Sequence, residues 1–448
     1  MSEGDMRAMV TAMVFAAAAA AWPVGASAVP AFAEQTGQPC SACHVGGFGP
    51  QLTPFGRQFK LNGYTMRAGD SFTNPLSAMA VVSYVHTLSD QPSPPASHYA
   101  VNDNTTLDQA SLFVAGGVGD HFGGFTQWTY DGVGRAFSWD NLDLRAVDNV
   151  TLDGNDVLLG VNVNNAPAVQ DAWNTLPAWG YPYTGSDLAP APGAGTVMDG
   201  ALAQGVLGAS AYANWNSSLY TEFGLYWTPS RGFLSAMGVD RADVGLISGA
   251  APYARIAWQK DYGEQNFEIG AFGLFPNIYP GADRSAGTTD RYSDVGLDGS
   301  YQFTGDETDT YTLNVRYTHE DQTLDASAAL GAAAHAANHL DEFNLDASYY
   351  WHNEMGGTIG FFDIAGSRDT LFYADNRTFR PDSQGLSFQA DYTPFGGPDA
   401  PLGGRFNLRV GVQYVAYTKF DGASSNYDGL GHGASDNNTL RVFLWTAL

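Results

Sequence analysis

Only two cysteines and 15% charged residues occur in this 448-residue chain, and beyond its first thirty residues no apolar run approaches the ~18 residues of a membrane-spanning helix. Each scarcity excludes a class. Two thiols cannot build a disulfide framework or a four-thiolate zinc site. Lys and Arg number 20 against 46 Asp and Glu, a formal charge of -26, so a polyanion such as nucleic acid would be repelled. Without an apolar helix, any insertion of the mature chain into a membrane must use strands. H-E-x-x-H, G-x-S-x-G, phosphate-loop and EF-hand patterns are all missing. Close carboxylate pairs are expected by chance among 46 acids.

What is present begins with Cys40-Ser41-Ala42-Cys43-His44. This is C-x-x-C-H, the attachment signature of a c-type haem, with thioether bonds from both thiols and the imidazole on the iron. Two intervening residues let one tight turn present both sulfurs to neighbouring vinyl groups, and the next side chain falls under the iron. A thioredoxin-like pair would need a βαβ context, and a zinc site would need further soft ligands; the sequence offers neither. One covalent haem c is therefore expected, held by Cys40 and Cys43, with His44 as the metal ligand. Upstream, Arg7, the apolar run Ala8 to Trp22 and the small residues Ala26-Ser27-Ala28 follow the order of a secretory signal peptide over 1–28. Glu3 and Asp5 outweigh Arg7, which places the true start at Met6 as an alternative. Export also suits the thiols, since c-type haem is attached outside the bacterial cytoplasm.

Residues 29–75 read as a monohaem c-type cytochrome segment. Thr53-Pro54 is an N-cap with proline at the first helical position, and Asn62-Gly63 is the matching stop. The short helix between them carries Phe55, Arg57, Phe59 and Lys60. Phe48, Phe55, Phe59 and Tyr64 are candidate walls for the porphyrin, with Arg57 or Lys60 near its propionates. The sixth iron ligand stays open among Met66, His86, His98 and none. Some 45 residues are about the smallest length that folds unaided, so something else must cover the haem.

From residue 76 to 448 the pattern becomes alternation of apolar and polar residues. Tyr311, Leu313, Val315 and Tyr317 alternate with Thr312, Asn314, Arg316 and Thr318; Leu219, Thr221, Phe223, Leu225 and Trp227 repeat the period. Sixteen such runs are read, near 77–88, 110–119, 123–131, 141–148, 155–163, 203–214, 217–227, 252–262, 265–275, 291–303, 309–319, 342–351, 356–365, 384–394, 404–418 and 437–447. Their links alternate between short turns and long loops, the signature of an outer-membrane barrel. The expected fold class is thus all-β: an antiparallel transmembrane β-barrel of about 16 strands, porin-like in size, with the haem segment and its little helix at or in the lumen.

The run Phe32 to Gly37 leading into C-x-x-C-H, then Gly49 to Arg57 and Asn62-Gly63-Tyr64-Thr65, resembles the N-terminal cytochrome of the fused monohaem cytochrome-porin proteins of iron-oxidising bacteria. Gly366 to Thr370 and the stretch Asn437 to Trp445 are similar as well, so the resemblance covers nearly all of the mature chain. It implies an outer-membrane Fe(II) oxidase that takes electrons from extracellular ferrous iron and passes them to a periplasmic cytochrome or other acceptor. Two alternatives stay open: a conduit for another donor or direction, and a passive porin with a structural haem. For iron itself, the loop Glu320 to Leu340 is the candidate, with His335 and His339 sharing a face of an Ala-rich helical stretch beside Asp341 and Glu342. The competing reading of this loop is an acidic, solvated surface.

Overall fold

The computed structural model describes residues 30–69, 73–305, 309–400 and 404–448. The signal-peptide segment 1–28 lies outside them. Alternation along the chain turns into a closed wall: sixteen antiparallel strands pair in chain order, and the first, Leu76–Thr87, pairs both with the second, Asn104–Val118, and with the last, Thr439–Ala447. Two extra strands of two and three residues, Leu246–Ile247 and Asn277–Tyr279, pair with each other at the rim. Closure leaves no edge, which is what hydrocarbon demands of a sheet.

Period two sorts the side chains. Along Leu219–Trp227, Leu219, Phe223, Leu225 and Trp227 face outward and Tyr220, Glu222 and Tyr226 are buried inside. Along Thr310–Thr323, Tyr311, Leu313, Val315 and Tyr317 face out while Asn314 and Arg316 face in. An outer apolar belt over a polar interior is the arrangement by which a barrel crosses a bacterial outer membrane. Trp215, Tyr262, Tyr311, Tyr349, Trp351 and Tyr392 are exposed where strands meet the short turns. Aromatic rings at that level form an interfacial girdle.

All sixteen expected strands are present, several longer than read: Asn104–Val118 and Ala136–Leu152 extend past the apolar alternation. Outside the membrane a strand needs only its ladder partners, so hydropathy understates it. The same extension overturns the helix expected between Glu320 and Leu340. The strand Thr310–Thr323 continues through Glu320, a helix spans only Asp325–Ala329, and the next strand starts at Ala337.

Two segments fill the barrel. Residues 30–69 enter from the short-turn end as three short helices, Pro30–Thr36, Cys40–Cys43 and Pro54–Leu61. The connection 165–206, one of the long links between strands, folds back into the lumen. Its Ala168, Leu176, Met198 and Leu202 are buried against Tyr226, Tyr253 and Phe272 of the wall. Leu61 of the N-terminal segment, Trp173 of this loop and Tyr212 and Tyr220 of the wall form a second apolar cluster. These two apolar clusters therefore lie inside the barrel.

Candidate haem site

The C-x-x-C-H turn is a single helical turn, Cys40–Cys43, closed by His44 N–H donating to the Cys40 carbonyl at 2.9 Å. The chain then reverses and returns alongside: Val45 N–H donates to Gln51 O at 2.9 Å and Thr53 N–H to Cys43 O at 2.9 Å. Thr53 caps the helix Pro54–Leu61, its Oγ1 accepting from Gly56 N at 3.2 Å. The same hydroxyl donates to Ala42 O, so one cap joins the helix to the motif. Gly56 lies against the motif so closely that a Cβ there would sit 2.2 Å from Cys43 O.

Barrel residues clamp this turn from two sides. Asn353, in the short turn 352–354, accepts from Gly46 N and donates from Nδ2 to Ser41 O at 3.1 Å and His44 O at 3.0 Å. Arg409, 1% exposed, donates to Gly46 O at 3.0 Å and is 3.3 Å from Asp391. Gly46 has φ of 68°, and a Cβ on it would lie 2.5 Å from Tyr350 and 2.6 Å from Arg409; only glycine fits there. On the other side Asn174 of the inward loop accepts from Leu52 N at 2.9 Å and donates to Pro50 O at 2.9 Å.

Beside the turn lies a cavity of about 380 Å³, within the range of cofactor sites, lined by Cys40, Cys43 and His44. Its other walls are mostly apolar: Phe32, Phe48, Phe59 and Tyr64 from the N-terminal segment, Met79, Phe113, Phe125 and Trp445 from the barrel, and Trp179 from the inward loop. Burial, and after it the charge of Arg409, pushes the His44 imidazole down to about 4, against the carbonyls of Gln51 and Gly49. Its Nδ1 is buried with no hydrogen-bond partner. A neutral ring is what an iron ligand must be. Burial pushes the Cys40 thiol up and, with Cys40 adding to it, Cys43 to about 12. Both sulfurs are therefore uncharged, half-buried thiols beside an apolar slot. The donor set, the neutral imidazole and the cavity fit a covalently attached haem.

Other sequence-derived candidates divide. Phe48, Phe59, Tyr64 and Lys60 border the cavity; Phe55 and Arg57 do not. Arg57 turns the other way and donates to Gln302 at 2.7 Å. Lys60 donates to Val169 O at 2.7 Å and stands 4.9 Å from the Trp179 ring; burial pushes it down to about 7 against the pull of Asp143. None of the expected sixth ligands is at the cavity. The Met66 carbonyl accepts from Gln35, His86 is paired with Asp103 at 2.8 Å on the exposed side, and His98 lies tilted against Tyr99 in an external loop.

The His335 and His339 pair is not assembled on one face. His335 is 3.4 Å from Asp369 in a loop, whereas His339 lies in the strand Ala337–Trp351 and bonds Ser367 at 2.8 Å. Asp341 is directed to His319 at 2.8 Å, while Glu342 faces the lumen and receives Thr196 N–H at 2.7 Å. Among the described residues no group of three or more His, Cys, Asp or Glu is placed to hold a metal ion. Asn353, Arg409 and Asn174 were invisible in the sequence as site residues. Asn353-Glu354 reads only as a turn, and nothing marks Asn174 until the loop is known to fold inward.

No family model and no curated protein matches the sequence. Solved structures similar to this chain include OmpT of Vibrio cholerae, at 9% identity over 85% of this chain and 98% of that one, TM-score 0.43. Others are Salmonella typhi OmpF in complex with daunomycin, at 12% over 83% and 97%, TM-score 0.45, and an anion-selective porin from Comamonas acidovorans, at 11% over 83% and 98%, TM-score 0.45. The barrel rests on its own strand pairing.

Proposed function

We propose that this chain moves single electrons across the outer membrane, from extracellular Fe(II) to a soluble periplasmic carrier. The observation that carries the reading is the C-x-x-C-H turn clamped inside the barrel at its short-turn end, against an apolar cavity that Cys40, Cys43 and His44 line. A haem bound through Cys40 and Cys43, with His44 on its iron, supplies one-electron redox chemistry there. The short-turn end of such barrels faces the periplasm, which puts the site within reach of a carrier on that side. Each Fe(II) gives up one electron and remains outside as Fe(III).

The protein's own residues do the rest. Asn353, Arg409 and Asn174 fix the turn, and the aromatic walls keep water from the slot. The inward loop is pinned by Thr196, Val197 and Met198, whose N–H groups donate to Glu342, Glu320 and Asp294 at 2.7, 2.6 and 2.7 Å. With this loop and the N-terminal segment both inside, a passive pore is the less suited reading. The formal charge of -26 concentrates ferrous iron near the mouth, and outer-sphere transfer needs no tight iron site. Iron as the donor rests on the resemblance to cytochrome-porins.

Anaerobic stopped-flow absorption of outer-membrane fractions, mixed with Fe(II) at neutral pH, tests it. Fast reduction of the haem bands, absent in Cys43→Ala, is expected. Reduction by dithionite but not by Fe(II) would overturn iron as the donor.

A further inference from the structure

The site described above accounts for one axial ligand, and the barrel wall offers a second. We propose that the thioether of Met79 is the sixth ligand of the iron, so that the barrel itself completes the coordination of a haem carried by the N-terminal segment. The inference rests on the haem reading of Cys40, Cys43 and His44.

Elimination among the donors that line the cavity leads to Met79. Asp140 accepts from Thr129 at 2.8 Å. The Tyr183 hydroxyl has no partner among the described residues, and burial keeps the phenol protonated and so unsuited to ligate. The two thiols are consumed in attachment and His44 holds the first axial place. Lys60 Nζ is committed to Val169 O at 2.7 Å, and the Tyr64 hydroxyl donates to Asp143 at 2.6 Å. Asp171 accepts from the N–H groups of Trp173 and Thr175, each at 3.1 Å. Met79 borders the same cavity and is its one thioether. It lies on the first strand with its inward neighbours Ser77 and Val81 buried, and is itself half-buried. Met79 and Phe48 both pack against the cluster of Val81, Phe443 and Trp445, and Phe48 and Trp445 are cavity walls as well.

Two consequences follow. Imidazole with thioether raises the potential of a c-type haem, which favours the haem as electron acceptor from an external donor. A bond from the wall to a group covalently held by the segment also ties the two together, so that haem loading stabilises the docked segment.

The test uses the full-length protein purified with its haem, with Met79→Leu, Met79→His and Met66→Leu as variants. Intact mass comes first: a chain without covalent haem would overturn the reading of the motif, and the ligand proposal with it. With haem attached, Met79→Leu is expected to lose the far-red thioether-to-iron charge-transfer band of the ferric form and to bind carbon monoxide readily when ferrous. Met79→His keeps a six-coordinate spectrum while its potential falls, and it carries the test if the leucine variant does not fold. Met66→Leu behaves as the unmodified protein. If Met79→Leu or Met79→His retained the parent band, carbon monoxide reactivity and potential, Met79 would not be the ligand.

Discussion

Asn353 shows how much of the site hangs on one uncharged side chain. Its amide meets Gly46 N–H and the carbonyls of Ser41 and His44, three backbone groups at both ends of the C-x-x-C-H turn. Leaving the buried Gly46 N–H unpaired costs about 1–3 kcal/mol, and each of the two part-buried carbonyl contacts adds about 0.5 kcal/mol. Asn353→Ala should therefore loosen docking of the turn by about 2–4 kcal/mol, read as a lower melting temperature and a smaller haem-loaded fraction; an unchanged fraction would count against the clamp. Gly56 makes the opposite kind of demand. A methyl there meets Cys43 O at 2.2 Å, whereas one on Gly69 meets nothing within 4 Å. Gly56→Ala should sharply reduce covalent haem on a mass spectrum, and Gly69→Ala should leave it unchanged. The expectation at Cys40, Cys43 and His44 came from residue types and spacing alone, and the structure brings the three to one cavity. Asn353 and Arg409 were not legible, because their partners lie some 300 residues away in the chain and are backbone atoms that carry no sequence signal.

At the scale of elements, the sixteen strands were legible because each has one face in lipid and one inside, and period two records that contrast. The inward fold of 165–206 was not. A segment lining a polar lumen buries Asn165, Gln170 and Asp171 alongside Ala168 and Leu176, so its composition resembles that of a loop in water. The loop Ser367 to Asp382 carried only the resemblance at Gly366 to Thr370 and no sign of a structural role, yet one carboxylate there organises the long-loop rim. Asp369 is fully buried and accepts N–H groups from Ala334, His335, Leu371 and Phe372 at 2.8–3.0 Å. Burial alone would raise its carboxyl; these four donors outweigh that and hold it well below the usual range. The ionised form is thus favoured in the folded state, so the contribution is complete above the unfolded value of about 3.9 and is lost as pH falls below it. Chymotrypsin at neutral pH should cut beside Leu371 and Phe372 far faster in Asp369→Asn than in the parent. With pepsin, the difference between the two should narrow progressively as the pH falls below that value. Equal rates with chymotrypsin would contradict the role of Asp369.

At the scale of the molecule, a porin-sized wall encloses two segments that fill much of its lumen. Excision of residues 30–69 should therefore raise single-channel conductance in planar bilayers well above that of the full chain; equal conductance would mean that the segment does not obstruct the pore. The central claim is passage of electrons, with iron staying outside. Its most direct test is the full-length haem protein reconstituted into liposomes that enclose ferric cytochrome c, with Fe(II) added outside under anaerobic conditions. Reduction of the enclosed cytochrome by the parent protein, and none by Cys43→Ala, is the expected result. An enclosed cytochrome that stays oxidised with the parent, or is reduced as fast with Cys43→Ala because iron itself passes through, would contradict it.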